Sequence, residues 1–533
     1  MRGTRTTLTQ RWYDEGFYGS DTVRDRIERA VERWGDRPVV VWSWFRSGET
    51  TLGEMHRRGR RLAGAFHDLG LRAGDVVAAQ MPNWIEAGVL YHACVELGLV
   101  VLPIIHVYGQ TEVDHILRSS QAKAMVSPAV WGGIDYSDRD YPARHPGLVW
   151  VVVGEPPNGA RSFEDLEAHG HDRFPRPAIH ADDVHVTNYT SGTTAEPKGV
   201  LHSHNSLLAE VRAQVHSTED VEGREIMVSP NPAGHIAGLL SNFLFAAVMG
   251  QKIVMMDGWD PGACLELIDT HRATKAGGAP FFLNGLLDHP DLVTRDLSSL
   301  RLFGCGGAGV PASLIEKAAA HGIFSFRSYG STEHPSITQA FMADPVEWRA
   351  HTDGRAQLGV RLRIVDADDR DVPIGTAGEI LTIGPDLCVG YRDEAHNAAF
   401  DSNGWYRTGD VGILDANGCL TITDRIKDII IRGGENISAR EVEEVLAKHP
   451  KVMEAAAVAL PDPRYGERVC AFVVVRNERD PLTFDEMSEH FRAAGIAKQK
   501  TPERLELVGE LPRTLAGKVQ KFKLRDQLAT SQA

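Results

Sequence analysis

Cysteine is scarce in this 533-residue chain: six residues, at positions 94, 264, 305, 388, 419 and 470, with no Cys-x-x-Cys pair. Neither a disulfide framework nor a zinc ribbon is signalled, and a reducing, cytoplasmic setting is the expectation. Basic charge is also short. Lys and Arg number 57 against 72 Asp and Glu, and the net charge of -15 argues against nucleic acid as a partner. Long apolar runs are missing. The longest stretch, Ile236 to Met256, is broken by Ser241, Asn242, Gln251 and Lys252 and reads as core, and the basic first residues precede no apolar segment. No membrane anchor and no secretory leader are therefore expected. The 52 glycines and 27 prolines follow no collagen-like period, and no internal repeat is found.

The length is several times that of one compact domain, so two or more domains are expected. Val23, Ile27, Ala30, Val31 and Trp34 share one helical face closed by Gly35, and Thr51-Leu-Gly-Glu54 predicts a capping box for a helix over 52–69. Short apolar strands at 76–79, 100–104, 124–127 and 149–153 alternate with such helices. The class read from this pattern is α/β, with largely parallel sheets covered by helices. After Phe341 the pattern turns to short strands with Gly, Asp and Asn turns, including a hairpin at Asp415-Ala-Asn-Gly418, which predicts a small β-barrel-like unit over about 342–424. From Ser438 a new α+β set begins: a helix at 439–448, strands at 452–460 and 469–475 and a helix at 484–494. The predicted organisation is a large domain over 1–424 and a small one over 425–533, bounded near Asp424 to Lys427.

The chemistry concentrates in Tyr189-Thr-Ser-Gly-Thr-Thr-Ala-Glu-Pro-Lys-Gly-Val200, read as joining a strand to the helix-like stretch from Asn205. Thr190, Ser191, Thr193, Thr194, flexible Gly192 and the cation Lys198 together supply many donors for phosphate oxygens. It is not a Walker loop, because the Gly-Lys-Ser/Thr ending is missing. Gly304-Cys-Gly306-Gly307-Ala308-Gly309 satisfies GxGxxG, but the next strand ends without the acid that a dinucleotide ribose needs. His202, His204 and His235 lack companion ligands, and core or capping roles suit them better than a metal. No Gly-x-Ser-x-Gly elbow supports serine-nucleophile hydrolysis.

The 189–200 segment resembles the signature loop of the adenylate-forming superfamily, which includes acyl-CoA synthetases, luciferases and the adenylation domains of peptide synthetases. Four further segments match in the family's order: SYGSTEH (328–334), GWYRTGD (404–410), DRIKDIIIRGGENI (424–437) and PRTLAGKVQK (512–521). The resemblance implies an acyl-CoA ligase that joins a carboxylic acid to ATP as an acyl-adenylate and passes the acyl group to coenzyme A. It implies Mg2+ held by Glu333, phosphate contact by Thr332, and Lys518 bridging acyl carboxylate and α-phosphate. Asp410 and Arg425 match ribose-contacting positions, and Tyr329, beside Gly330, matches the residue flanking adenine. Gly304, Gly306, Gly307 and Ala308 would lie along the adenine and the acyl pocket, with His235 close to the acid. Lys427 matches the hinge about which the small domain turns. Gly433, Gly434 and Glu435 would then face the pantetheine arm of coenzyme A.

One position departs from the family. The signature loop usually has glycine where this chain has Ala195, and a methyl group there would crowd the β- and γ-phosphates. Three alternatives to the two-step ligase stay open at this level. One is a ligase impaired in adenylation that thioesterifies a preformed acyl-adenylate. The others are an enzyme that loads an acyl-carrier protein and a catalytically silent adenylate binder. The acid itself is not legible, though the small residues around His235 suggest room for an apolar one.

Overall fold

The computed structural model describes residues 2–190, 197–513 and 519–530. Packing divides the chain into two compact units. The first is Met1–Ala350 with Gly354–Arg361 and Ile383–Trp405; the second is His351–Asp353 with Leu362–Thr382 and Tyr406–Ala533.

The first unit holds two mixed sheets. In one, six parallel strands run in the order Phe324–Tyr329, Leu302–Cys305, Lys275–Gly278, Ile226–Ser229, Lys252–Met256, Pro38–Trp42, with antiparallel strands added at both edges. In the other, Val184–Thr190 lies parallel beside Val100–Pro103, Val76–Ala79, Ala124–Pro128 and Val149–Val153, and antiparallel to Lys198–Ser203. Runs such as Val149–Val153 form interior strands because β-branched side chains suit a pleat covered on both faces. The helix Ile85–Leu97 is apolar on nearly every face and buried from Glu86 to its end, where Gly98 turns left-handed (φ 66°) to cap it. The predicted helix over 52–69 spans Leu52–Asp68; Thr51 Oγ1 accepts from Glu54 N, which is one half of the expected box. Helix Val23–Trp34 carries a complete box between Thr22 and Asp25 and buries Val23, Ile27 and Ala30.

The stretch from Ile236 to Met256 breaks into short helix, a widened turn over Leu240–Phe245, helix again and a strand. No helix among the described residues is long and apolar enough to cross a membrane. All six cysteines are buried thiols.

The second unit contains a four-stranded sheet, Arg361–Val365, Gly378–Ile383, Tyr406–Leu414, Leu420–Arg425, where a barrel-like unit was predicted. The predicted hairpin is present, with Gly418 at φ 77° and Asp415 N bonded to Cys419 O. A five-stranded sheet follows, with helices Ala439–Ala447 and Phe484–Ala493. Two features differ from the predicted organisation. Part of the 342–424 segment belongs to the first unit, since Arg355–Ala356 and Gly390–Tyr391 pair onto its two sheets. The four-stranded sheet is also grouped with the residues beyond 425. Ser438 Oγ donates to Thr423 O and Arg440 Nη1 to Ile422 O, so the boundary read at 424/425 falls inside one packed body. Such long-range pairing leaves no periodic trace in the local sequence.

Candidate active site

The SYGSTEH segment is a tight, buried turn in the first unit. Strand Phe324–Tyr329 ends where Ile337 N bonds back to Tyr329 O, and Ser331 N bonds to His334 O, at 2.9 Å each. Gly330 is required by this closure: a Cβ there would stand 1.9 Å from Pro335 O. Thr332 and Glu333 ride the turn and are 8 % exposed each.

Surrounding elements hold the turn by hydrogen bonds. His202, from strand Lys198–Ser203, donates from Nε2 to Thr332 O at 2.8 Å, and burial lowers its pKa so that the neutral ring persists. Tyr391 OH donates to Glu333 Oε1 at 2.7 Å, and Cys388 N donates to Glu333 O at 2.7 Å. His334 Nε2 donates to Asp386 Oδ1 at 3.0 Å, with both side chains fully buried. Ser336 Oγ donates to Glu210 Oε1 at 2.7 Å from helix His204–Thr218. Burial and the neighbouring Asp386 raise the pKa of Glu210.

The phosphate-loop candidate is the connection of a β-hairpin, since Val184–Thr190 and Lys198–Ser203 pair antiparallel with Thr190 opposite Lys198. The predicted strand-to-helix junction is therefore corrected: a second strand intervenes before the helix begins at His204. Ser191, Gly192, Thr193, Thr194, Ala195 and Glu196 lie outside the described residues, as does Lys518. Tyr189 packs its ring over Gly199, where a Cβ would approach to 3.0 Å, and receives a hydrogen bond from Ser119 Oγ.

At the glycine-rich strand end, a Cβ on Gly304 would meet the Phe326 ring at 3.1 Å, and one on Gly306 would meet Ser328 Oγ at 2.6 Å, so close packing against the next strand favours glycine at both positions. Of these glycines, Gly307 (φ 78°) and Gly309 face open space, and Ala308 between them is half-buried. Tyr329 is buried at the strand end. His235 is the N-cap of helix Ile236–Leu239, its Nδ1 accepting from Ala237 N at 3.2 Å. His204 is buried against the His185 ring, and among the described residues no group of three or more His, Cys, Asp or Glu is arranged to hold a metal.

In the second unit, Asp410 and Arg425 are opposite one another across strands Tyr406–Leu414 and Leu420–Arg425, with Arg425 Nε 2.8 Å from Asp410 Oδ1. Lys427 follows in a short turn, where desolvation and then the Arg425 and Arg525 guanidiniums lower its pKa. Gly433 (φ 60°) and Gly434 (φ 89°) are the two central residues of the hairpin Ile430–Arg432/Glu435–Ile437. Positive φ at both positions is the requirement of a two-residue hairpin turn, which explains the glycines without a ligand. Glu435 Oε2 accepts from Gln499 Nε2 at 2.6 Å.

Five residues that hold the turn escaped the sequence reading: His202 as a partner of Thr332, and Tyr391, Asp386, His334 and Glu210. The only legible signal was the isolated His in STEH; the partners lie 52 to 130 residues away along the chain.

The chain matches the family model described as AMP-binding enzyme over residues 27–392, and AMP-binding enzyme C-terminal domain over 441–518. It is 34 % identical to the medium-chain fatty-acid–CoA ligase of Escherichia coli K12, with 99 % of this chain and 94 % of that protein covered. Among solved structures, ATP-bound MatB from Rhodopseudomonas palustris superposes with a TM-score of 0.84 at 29 % identity, covering 95 % of this chain and 99 % of that one. The anthranilate CoA ligase AuaEII in complex with anthranoyl-AMP gives a TM-score of 0.87 at 25 % identity, covering 96 % and 98 %. Both family models match in order along a chain whose buried STEH turn is held from several elements, and the chain belongs to the AMP-binding enzyme family as an acid–thiol ligase of the adenylate-forming superfamily.

Proposed function

We propose that this protein is an acyl-CoA ligase: a carboxylic acid and ATP give an acyl-adenylate and pyrophosphate, and coenzyme A then gives the thioester and AMP. The carrying observation is the rigid presentation of Thr332 and Glu333 on a turn locked by His202, Tyr391 and Cys388. Rigid donors and charges cost little reorganisation when charge develops on a transferring phosphorus.

The first step brings two anions together. Lys198, Thr190 and the hydroxyls of the 191–194 loop would cradle the phosphates, Thr332 would contact the α-phosphate, and Lys518 would offset the repulsion between carboxylate and phosphorus. Asp410 would accept the ribose hydroxyls, with Arg425 orienting its carboxylate through their existing ion pair. Glu333 fits Mg2+, which is commonly held by one carboxylate together with substrate phosphates. The ion, when bound, supplies charge neutralisation on the phosphates. Tyr391 fixes one oxygen of that carboxylate.

For the second step, the segment beyond 425 would release its bonds from Ser438 to Thr423 O and from Arg440 to Ile422 O and turn about Lys427, exchanging Lys518 for the Gly433–Glu435 hairpin, along which pantetheine would pass. The acid is inferred to be a monocarboxylate with an apolar body, in line with the fatty-acid ligase among the relatives. The test is pyrophosphate release from MgATP across straight-chain and aryl monocarboxylic acids, followed by thioester formation with coenzyme A. Thioester formation only on an acyl-carrier protein would refute the acceptor, and failure of preformed acyl-adenylate to react with any thiol would refute the ligase.

A second reading rests on Ala195, in the place of the family's loop glycine. Adenylation would then be slow while thioester transfer from a preformed adenylate stays fast. Release that is equal in the unmodified protein and in Ala195→Gly would eliminate this reading.

A further inference from the structure

Behind the Thr332–Glu333 turn lies a polar cluster that the two-step chemistry does not use. Glu210 and Asp386 are both buried, and the Asp386 charge acts on the Glu210 carboxyl. Each carboxyl has one oxygen already served: Glu210 Oε1 by Ser336 Oγ at 2.7 Å, and Asp386 Oδ1 by His334 Nε2 at 3.0 Å. Each also has one buried oxygen with no donor, Glu210 Oε2 and Asp386 Oδ2. Two orphaned acceptors on neighbouring buried acids are costly, and a single proton between them satisfies both. Both acids are tied to the catalytic turn from behind, since His334 directly follows Glu333 and Ser336 closes the turn. Gln214 Nε2 adds a 2.6 Å bond to Ser336 Oγ from the same helix as Glu210. Gly384 leaves room for this arrangement, because a Cβ there would lie 2.9 Å from both Asp386 Oδ1 and His334 Nε2.

We propose that Glu210 is kept as a neutral carboxylic acid whose Oε2 hydroxyl donates to Asp386 Oδ2, closing a buried brace that positions Thr332 and Glu333 for the nucleotide. The brace runs Ser336, Glu210, Asp386, His334 and so grips the turn at two points, one and three residues beyond Glu333. Glu210 is a positioning residue: it reaches the phosphates only through the turn. The ionisable groups around the pair are His334 and His202, with Glu333 beyond them, and Tyr18, whose hydroxyl donates to Pro385 O at 2.8 Å. Burial and the Asp386 charge both raise the pKa of Glu210, which favours the neutral form. Loss of the shared proton at alkaline pH sets two buried carboxylates against each other and loosens the turn.

The inference rests on the reading of Glu333 as the contact to MgATP, and the experiment separates the two. MgATP affinity is measured calorimetrically, from neutral to alkaline pH, for the unmodified protein and for Glu333→Gln, Glu210→Ala and Glu210→Gln. Glu333→Gln should weaken binding; if it does not, the nucleotide reading fails and the brace with it. Glu210→Ala should weaken binding by roughly 10- to 100-fold, the usual cost of losing an outer partner of a ligand group. Glu210→Gln carries an N–H donor in place of the hydroxyl, so it should bind within about threefold of the unmodified protein and lose the alkaline weakening. A weakened Glu333→Gln beside an unaffected Glu210→Ala overturns the brace alone, as does a Glu210→Gln no better than Glu210→Ala. Infrared spectroscopy of the unmodified protein needs no variant to fold: a carboxylic-acid carbonyl band, shifted in D2O and lost at alkaline pH, is expected, and its absence at neutral pH overturns the proposal.

Discussion

Gly330→Ala tests whether the placement of the STEH turn matters beyond the identity of its residues. The added Cβ would stand 1.9 Å from Pro335 O, 2.6 Å from Pro335 C and 3.0 Å from His334 O, all backbone atoms of the turn. Ordinary contact begins near 3.4 Å, so the opposing strand of the turn must retreat by 3.4 − 1.9 = 1.5 Å. No side-chain rotation relieves the clash. The retreat breaks the bond from Ser331 N to His334 O and carries Thr332 and Glu333 off their partners His202 and Tyr391. A misplacement of about 1 Å costs on the order of 100-fold in rate where reacting groups must be aligned. Pyrophosphate release with MgATP and a saturating acid should therefore fall at least about 100-fold. The thermal midpoint should drop by several degrees without loss of the cooperative transition. A Gly330→Ala protein with release within about threefold of the unmodified one would refute the claim that the turn is rigid and that its rigidity is used.

Other perturbations isolate single interactions. Tyr391→Phe keeps the ring against Phe400 and His396 but removes the donor to Glu333 Oε1. A hydrogen bond to a charged group is worth about 1.5–3 kcal/mol, so MgATP affinity should fall roughly tenfold or more, read by calorimetry. Lys518→Ala should abolish adenylation, read as pyrophosphate release, while transfer from a preformed acyl-adenylate to coenzyme A survives; equal loss of both steps would contradict its role. Acid should destabilise the first unit. His56, His106 and His204 are buried with pKa values lowered to about 4 by desolvation, against 6.5 when unfolded. The unfolded chain binds more protons in that window, so stability is intact above pH 6.5 and is lost as pH falls toward 4, by about 2 kcal/mol per histidine near pH 5. Urea midpoints that do not move between pH 7 and 5 would contradict this.

Much of the candidate site was legible because its chemistry is local. STEH, GWYRTGD and the 189–200 loop are contiguous strings, and a phosphate cradle or a ribose acid is encoded by a few adjacent residues. Secondary structure followed the same logic where one period ruled, as in helix Val23–Trp34 and strand Val149–Val153. The strand Lys198–Ser203 went unread because its alternation is interrupted by His202, a polar residue buried by its tertiary partner Thr332, and by Ser203, the N-cap of the following helix. The glycines at 304 and 306 were legible as unusual, but the reason for them was not: the atoms they avoid belong to Phe326 and Ser328, on the next strand.

By itself, the sequence determined the α/β class and the family and named the groups proposed to meet the nucleotide, because each is carried by composition, period or a short motif. Only the tertiary structure decided which residues hold those groups still. Glu210, Asp386, Tyr391 and His202 carry no signature of this role in the string and support the turn only when helix, strand and loop converge on it. The physical reason is burial. Once water is excluded, each polar atom must find its partner within the protein, and that pairing is settled by proximity in space, which no local pattern records.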